Sequence, residues 1–219
     1  MDITPIAFVH SDLKTKFGVP RQSGLTGLVS RITFCKEFSS PEAFRGSEGY
    51  DYVWVIWGFH QAKPTDSLTV RPPRLGGNKR MGVFATRSPF RPNGLGLSSL
   101  RVVGTERENG EFSLLVEGVD MADGTPVYDV KPYIAQYDSH PEAKGGFVQD
   151  VAFEKLNVVF ADGVAGKLPP EKEEALREIL SLDPRPQYQE DGREYGFTFA
   201  EKEVKFAVNG RELTVTAIE

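Results

Sequence analysis

The sequence predicts a mainly β protein: a β-rich main domain over residues 1–155, then a small α+β domain over residues 156–219. Three observations carry this. Pro and Gly are frequent, 15 and 22 of 219 residues, which favours short strands and turns over a helical bundle. The segment Tyr50–His60, YDYVWVIWGFH, is nearly all aromatic and β-branched, too apolar on both faces for an edge strand. After residue 160 the texture changes to one helix and one hairpin.

Residues 6–9 (IAFV) and 28–34 (LVSRITF) read as strands, the second with half-buried alternation, and KTKFGVPRQSGLTG between them as a loop. Residues 41–46 suit a short helix, and Tyr50–His60 the centre of a sheet or barrel. Met81–Gly96, MGVFATRSPFRPNGLG, opens like a strand with the apolar run Val83, Phe84, Ala85. It then enters turns that Pro89, Pro92, Gly94 and Gly96 constrain. Leu100–Thr105 and Phe112–Glu117 form a hairpin around Asn109-Gly110. Thr125–Ile134 is a further strand, and a strand over Val151–Phe160 completes the first part. LPPEKEEALREILSL is a helix with proline at its start, acids in its first turn, and Leu176, Ile179 and Leu180 on one face. DPRPQY ends it. The hairpin around Asn209-Gly210 alternates Val204, Phe206, Val208 with Leu213, Val215, Ala217.

Charge is unevenly spread. The net charge of −5 argues against an indiscriminate nucleic-acid binder. Yet Ser67–Thr105 contains no Asp or Glu and carries Arg71, Arg74, Lys79, Arg80, Arg87, Arg91 and Arg101, a net +7, so the rest of the chain carries −12. Arginines on Pro/Gly-fixed turns suit phosphate or carboxylate recognition. The lone Cys35 rules out an internal disulfide and a zinc site built from Cys pairs, and fits a small core residue in a cytoplasmic protein. The start does not read as a signal peptide, and no apolar run is long enough to span a membrane.

No phosphate-loop motif is present, and Gly94-Leu95-Gly96 follows an Arg-Pro turn rather than opening a helix after a strand. His10, His60 and His140 lack metal-ligand spacing, so no metal is expected. Ser88, Ser98 and Ser99 sit in no nucleophile elbow. What remains is a set of polar clusters at strand ends: Arg21 and Gln22 after Pro20; His60 and Gln61; Arg71 and Arg74; Arg87, Ser88, Arg91 and Asn93; and Asp120, Asp123, Thr125, Asp129 and Lys131. Sites gather in loops held by a rigid scaffold.

The stretches KFGVPRQSGL, WGFHQ, VRPPRLGGNKRMGVFATRSPFRPNGLGLS, DGTPVYDVKPYIAQYDS and DPRPQY together resemble the TsaA-like family. This is the β-barrel class of S-adenosylmethionine-dependent methyltransferases that act on threonylcarbamoyladenosine beside the tRNA anticodon. The resemblance runs from Ile6 to Ser139 and recurs at DPRPQY. The family usually reads Asn-Pro-Ile-Gly where this chain has Asn93-Gly94-Leu95-Gly96. It implies a barrel-like main domain, a homodimer, and a methyl donor held by loops at one barrel end. By motif position, Pro20, Arg21, Gln22, His60, Gln61, Arg87, Leu97, Asp123, Gly124 and Thr125 would contact S-adenosylmethionine.

On that implication, Arg71, Arg74, Lys79, Arg80, Arg91 and Asn93 form the expected tRNA surface. The acceptor nitrogen, in a urea-like linkage, is a poor nucleophile until its proton leaves, so a nearby base is useful. Asp129 is the candidate, with Lys131 on the same face two residues on. An ion pair steadying a strand end is the competing reading of these two. A non-catalytic module that binds the donor or an RNA is the alternative for the whole chain.

Overall fold

The computed structural model describes residues 2–63, 65–72, 75, 79–150, 154–185 and 191–219. Six strands form a barrel-like ring in the order β1 (Ala7–His10), β2 (Val29–Phe34), β7 (Glu111–Glu117), β6 (Leu95–Glu108), β3 (Tyr52–Gly58) and β8 (Pro126–Pro132). All neighbours are antiparallel. The closing seam between β1 and β8 is short, with two register pairs, extended by Ile6 N–H to Val127 O at 2.8 Å and Val9 N–H to Thr125 O at 3.0 Å. Between β3 and β6 lies a two-strand ribbon, β4 (Thr69–Val70) with β5 (Met81–Gly82). Short helices α1 (Ala135–Asp138) and α2 (Phe147–Asp150) lead out of the barrel.

A second sheet follows: β10 (Glu194–Phe199), β11 (Lys202–Asn209), β12 (Glu212–Ile218) and β9 (Asn157–Phe160), with α3 (Pro170–Ser181) beside β9. The parallel pairing of β9 with β12 corrects the expectation that this strand completes the first part. Residues 151–153 of that stretch lie outside the described residues. Alternation identifies a strand but not its partner. The helix forms as its sequence requires, with Pro170 in its first turn, Glu171 and Glu173 near its positive end, and Leu176, Ile179 and Leu180 buried.

Three local expectations need correction. Val83–Ala85 is a 3-10 turn, not a strand, with Val83 buried and Phe84 turned out to solvent at 77% exposure. In the last hairpin the register slips at Lys205/Phe206, so Ile218 rather than Ala217 reaches the core. The strand after Gly94 is also far longer than Leu100–Thr105. β6 pairs with β3 through residue 101 and with β7 from there on, turning the corner at a bulge between Val102 and Gly104.

The loop from Ser11 to Leu28 joins the two cores. Leu13 and Leu28 are buried in the cluster built on α3, β11 and β12, although their sequence neighbours are barrel strands. Leu13 bridges to Phe199, and Phe17 stacks on Phe206 at 6.4 Å and tilts against Phe197 at 5.8 Å. At Gly18 (φ +88°) a Cβ would lie 2.7 Å from the Phe197 ring, so that close approach needs glycine. Asp12 pairs with Lys172, and Gly27 N–H donates to Glu178 Oε2 at 2.5 Å.

Leu13→Ala leaves a cavity in the second core, and we expect it to cost about 3 kcal/mol in urea denaturation. A loss below about 1 kcal/mol would show that the loop is not part of that core.

Candidate functional site

Members of several polar clusters lie at one end of the barrel, where β3 exits, β8 begins, β6 begins and the 11–28 loop passes. On one side of this mouth Gln22 Oε1 accepts a hydrogen bond from Arg87 Nη1, joining segments 65 residues apart. Pro20 beside them is buried, and Arg21 is exposed. The Gln22 amide also donates to Arg21 O at 2.5 Å.

On the other side the buried Thr125 hydroxyl donates to Ala122 O at 2.7 Å and lies 3.3 Å from His60 Nδ1. Its single proton is committed to Ala122, so His60 Nδ1 is the donor in the second contact. Gln61 is occupied with the loop: Oε1 accepts from Lys16 N–H at 3.1 Å, and Nε2 donates to Lys14 O at 3.4 Å. Asp123 accepts from Ser11 N–H at 2.9 Å and from Lys14 Nζ at 3.1 Å. Burial acts upward on its pKa, but the Ser11 amide and Lys14 ammonium outweigh that and hold Asp123 below the ordinary carboxylate value. Gly124 (φ +75°) turns the chain so that its N–H reaches Val9 O at 2.8 Å.

The arginine-proline loop is rigid by a route the sequence does not reveal. Thr86 Oγ1 donates to Val83 O at 2.9 Å and accepts from Ser88 N–H at 3.3 Å. Ser88 Oγ then accepts from Phe90 N–H at 3.2 Å. Arg91 donates to Thr86 O at 3.2 Å, so this expected RNA contact also staples its own loop. Gly94 adopts φ +57°, closed to proline, and its carbonyl accepts from Phe59 N–H at 2.8 Å. The turn with glycine at the usual proline position therefore takes its own backbone path. Asn93 is exposed beside it. Arg71, Lys79 and Arg80 are exposed around the β4–β5 ribbon, where Arg80 donates to Thr69 Oγ1 at 2.8 Å. Arg74 lies outside the described residues.

Three further expected residues are on the barrel's outer side. Leu97 pairs with Ile56, which pairs with Asp129, and Leu97 is 56% exposed. A register shift between Ile56 and Trp57 inserts an extra residue in β8, so Val127 and Val130 both reach the core while Asp129 does not follow Val127 inward. Asp129 accepts its neighbour's Val130 N–H at 2.9 Å and pairs with Lys131 at 3.0 Å.

Sequence reasoning gave no role to the polar chain inside the mouth. Trp57 Nε1 donates to Ser98 Oγ at 2.9 Å, and Ser98 donates to Asp120 Oδ1 at 2.6 Å. Trp57 lies over Gly96, where a Cβ would come within 2.3 Å of its ring. The available signal was the alternation Gly96, Ser98, Leu100 on an inward strand face, small and polar where apolar bulk is usual. Burial pushes the Asp120 carboxyl up to about 6, against the opposing pull of Ser98, its own amide, the Arg87 charge and the Ser23 amide.

That shift has a sign. The fold holds the Asp120 proton more tightly than the unfolded chain does, so its contribution falls as pH rises from about 4 to about 6. We expect this to cost up to about 3 kcal/mol above that window. Denaturation of the wild type and Asp120→Asn across pH 4 to 7 checks it: the gap should open in the variant's favour as pH rises, and a constant gap would refute it.

The tRNA-methyltransferase O N-terminal domain family matches residues 8–139, and the corresponding C-terminal domain family matches residues 153–219. A tRNA (adenine(37)-N6)-methyltransferase of Escherichia coli is 36% identical over 225 residues, covering 98% of this chain and 96% of its own. A protein of Pseudomonas aeruginosa described as a putative S-adenosylmethionine-dependent methyltransferase is 37% identical over 205 residues, 89% of this chain and 87% of that one. The crystal structure of TrmO from Pseudomonas aeruginosa superposes with a TM-score of 0.80 at 29% identity, covering 100% of this chain and 98% of that one. With both halves matched in order and near-complete relatives at this identity, the chain belongs to the tRNA-methyltransferase O family.

Proposed function

We propose that the chain is an S-adenosylmethionine-dependent tRNA methyltransferase acting on N6 of adenine 37, the threonylcarbamoylated base beside the anticodon. The observation that carries this reading is the convergence at one barrel mouth of the Gln22–Arg87 pair, the His60–Thr125 contact and Asp123. This donor set suits S-adenosylmethionine: a guanidinium for its carboxylate, a carboxylate or amide for ribose hydroxyls, and backbone carbonyls beside a cation. When bound, that group supplies an electrophilic methyl on a sulfonium leaving group.

The chain's own residues bind, orient and exclude water. Arg87, held by Gln22, meets the donor carboxylate. His60 and the 123–125 turn form the opposite wall, and Pro20 and Arg21 the rim. Gln61 acts by holding residues 14–16 in place. Leu97 contributes from the outer face. Arg71, Arg74, Lys79, Arg80, Arg91 and Asn93 engage anticodon-stem phosphates and the threonyl carboxylate. The main unit ends near residue 155 and a smaller α+β unit follows.

We assign the proton on the acceptor nitrogen to Asp129, which pairs with Lys131 at 3.0 Å. Since this pair is on the outer face, the assignment goes with a homodimer in which that face meets a second copy. Tyr52, Leu97 and Val103, each more than 40% exposed, give the face apolar surface to bury. The enzyme works in the cytoplasm, where its tRNA is.

Labelled S-adenosylmethionine mixed with total tRNA from cells with and without the threonylcarbamoyl group tests the reading. Label should appear on the modified tRNA alone. Label on both would break the substrate assignment. No label, with donor binding confirmed separately, would support a sensor instead. In the same assay Asp129→Asn should lower turnover by about a hundredfold, typical of a lost general base, with donor affinity nearly unchanged. Unchanged turnover removes Asp129 from the chemistry, and a monomer by light scattering removes the dimer.

A further inference from the structure

Asp120 is a carboxylate largely withdrawn from water at a point where its ionised form costs the fold stability. An amide of the same shape would fill the position without that cost. Its surroundings show what the charge can do there.

On the barrel side the carboxylate is fixed without a loose joint. Trp57 is locked between Gly96 and the edge of Phe59, whose ring centroid is 4.3 Å away. Trp57 gives its one N–H to Ser98, and Ser98 gives its one hydroxyl proton to Asp120. When Asp120 is ionised the direction of the chain is thereby set: two donors in series end on a carboxylate that can only accept.

On the loop side the segment carrying Asp120 meets the 20–24 turn: Gly24 N–H donates to Gly118 O at 2.8 Å, two residues before Asp120 in the chain, and the Ser23 amide acts electrostatically on the carboxyl. Ser23 follows Gln22, the residue that accepts from Arg87. Arg87 is beyond ion-pair contact, yet its positive charge acts on the carboxylate. The groups facing Asp120 are thus the Ser98 hydroxyl from β6, the Ser23 amide from the loop, and Arg87 as the charged one.

We propose that Asp120 is a positioning residue of the donor site: it pins the Arg21–Ser23 turn to the barrel and, through Gln22 and its own charge, holds the Arg87 guanidinium ready for the donor. The proposal rests on the reading of Arg87 as a donor contact. An exposed arginine in water samples many rotamers, and binding must freeze one of them. A buried charge that pre-orders the guanidinium moves that cost from the binding step to the fold.

The test uses the full chain and S-adenosylmethionine itself, with affinity measured by calorimetry at pH 5.5 and 7.5. The proteins are the wild type, Arg87→Gln, Asp120→Asn, the double variant and Ser98→Ala. Arg87→Gln should weaken binding more than tenfold, and Asp120→Asn about tenfold at pH 7.5. The double variant should bind no more weakly than Arg87→Gln alone, because residues acting as one unit do not add. Asp120→Asn should melt at a higher temperature than the wild type at pH 7.5. Its affinity should lose the part of the wild-type pH dependence that Asp120 supplies. Its single-turnover rate at saturating donor should stay within twofold. Ser98→Ala, which leaves the carboxylate but frees it, should fall between wild type and Asp120→Asn.

Asp120→Asn binding within twofold of the wild type, while Arg87→Gln is impaired, overturns the proposal and leaves the donor site standing. Additive losses do the same. Wild-type binding by Arg87→Gln overturns both. A lower melting temperature together with weaker binding in Asp120→Asn would mark an ordinary structural residue and also overturns the proposal.

Discussion

The loop from Ser11 to Leu28 has to belong to two cores at once, and most of the mouth depends on that. Each ordered residue of a loop costs on the order of 1–2 kcal/mol of backbone entropy, so an eighteen-residue connection between β1 and β2 needs external anchors. The second sheet supplies them. Leu13, Phe17 and Leu28 enter its core, Gly18 lies under Phe197, and α3 contributes Lys172 and Glu178. At the barrel end the loop is tied by Gln61 to Lys14 and Lys16, by Asp123 to Ser11 and Lys14, and by Gly118 to Gly24. Pro20, Arg21 and Gln22 lie between these two sets of anchors. The smaller unit therefore bears on the site whether or not it touches a ligand.

A second constraint is geometric. A six-stranded ring of short strands closes only if strands bend, and the bends here are bulges. The one in β6 lets a single strand of 14 residues serve two neighbours. The one in β8 decides which side chains enter the barrel: Val127 and Val130 go in, Asp129 and Lys131 stay out. Two carboxylates nine residues apart in one strand-end cluster thus have opposite environments. Asp120 is withdrawn from water beside a polar chain, whereas Asp129 is half exposed with a lysine partner.

How much of this the sequence made legible follows from the range of each signal. Local signals succeeded: the Asn109-Gly110 turn, the helix with its proline start, and the aromatic run that became β3 between β6 and β8. From the arginine-proline stretch Arg87 meets Gln22, and from the Asp-Gly-Thr stretch Thr125 meets His60, whereas Leu97, Asp129 and Lys131 lie on the outer side. Signals that depend on a partner failed. A strand near residue 157 is evident, but its parallel pairing with β12 is not. Ala217 loses its place to Ile218 because its own strand carries an extra residue, Thr216, opposite the Lys205/Phe206 step. Leu13 looks like part of the barrel and is not. Asp120 was visible as one acid in a polar turn, and nothing local could show that Ser98 and Trp57 would meet it.

The acid-free span gains meaning from where its charges end up. Among the described residues, no carboxylate pairs within salt-bridge distance with Arg71, Lys79, Arg80, Arg87 or Arg91. Arg80, Arg87 and Arg91 instead bond to neutral oxygens, which orient a guanidinium without cancelling its charge. Acids elsewhere are used in pairs, such as Asp12 with Lys172 and Glu117 with Arg101. The outcome is a chain of net −5 in which Arg80, Arg87 and Arg91 keep their charge and are partly pre-oriented. Such cations attract a polyanion, and the net negative charge of the remaining chain repels it. Phe84 and Phe90, 77% and 43% exposed on the same loop, offer flat apolar surface among those cations, which suits stacked bases better than a small soluble anion. Charge and aromatic exposure on the 84–91 segment therefore suit a nucleic acid better than a small anion.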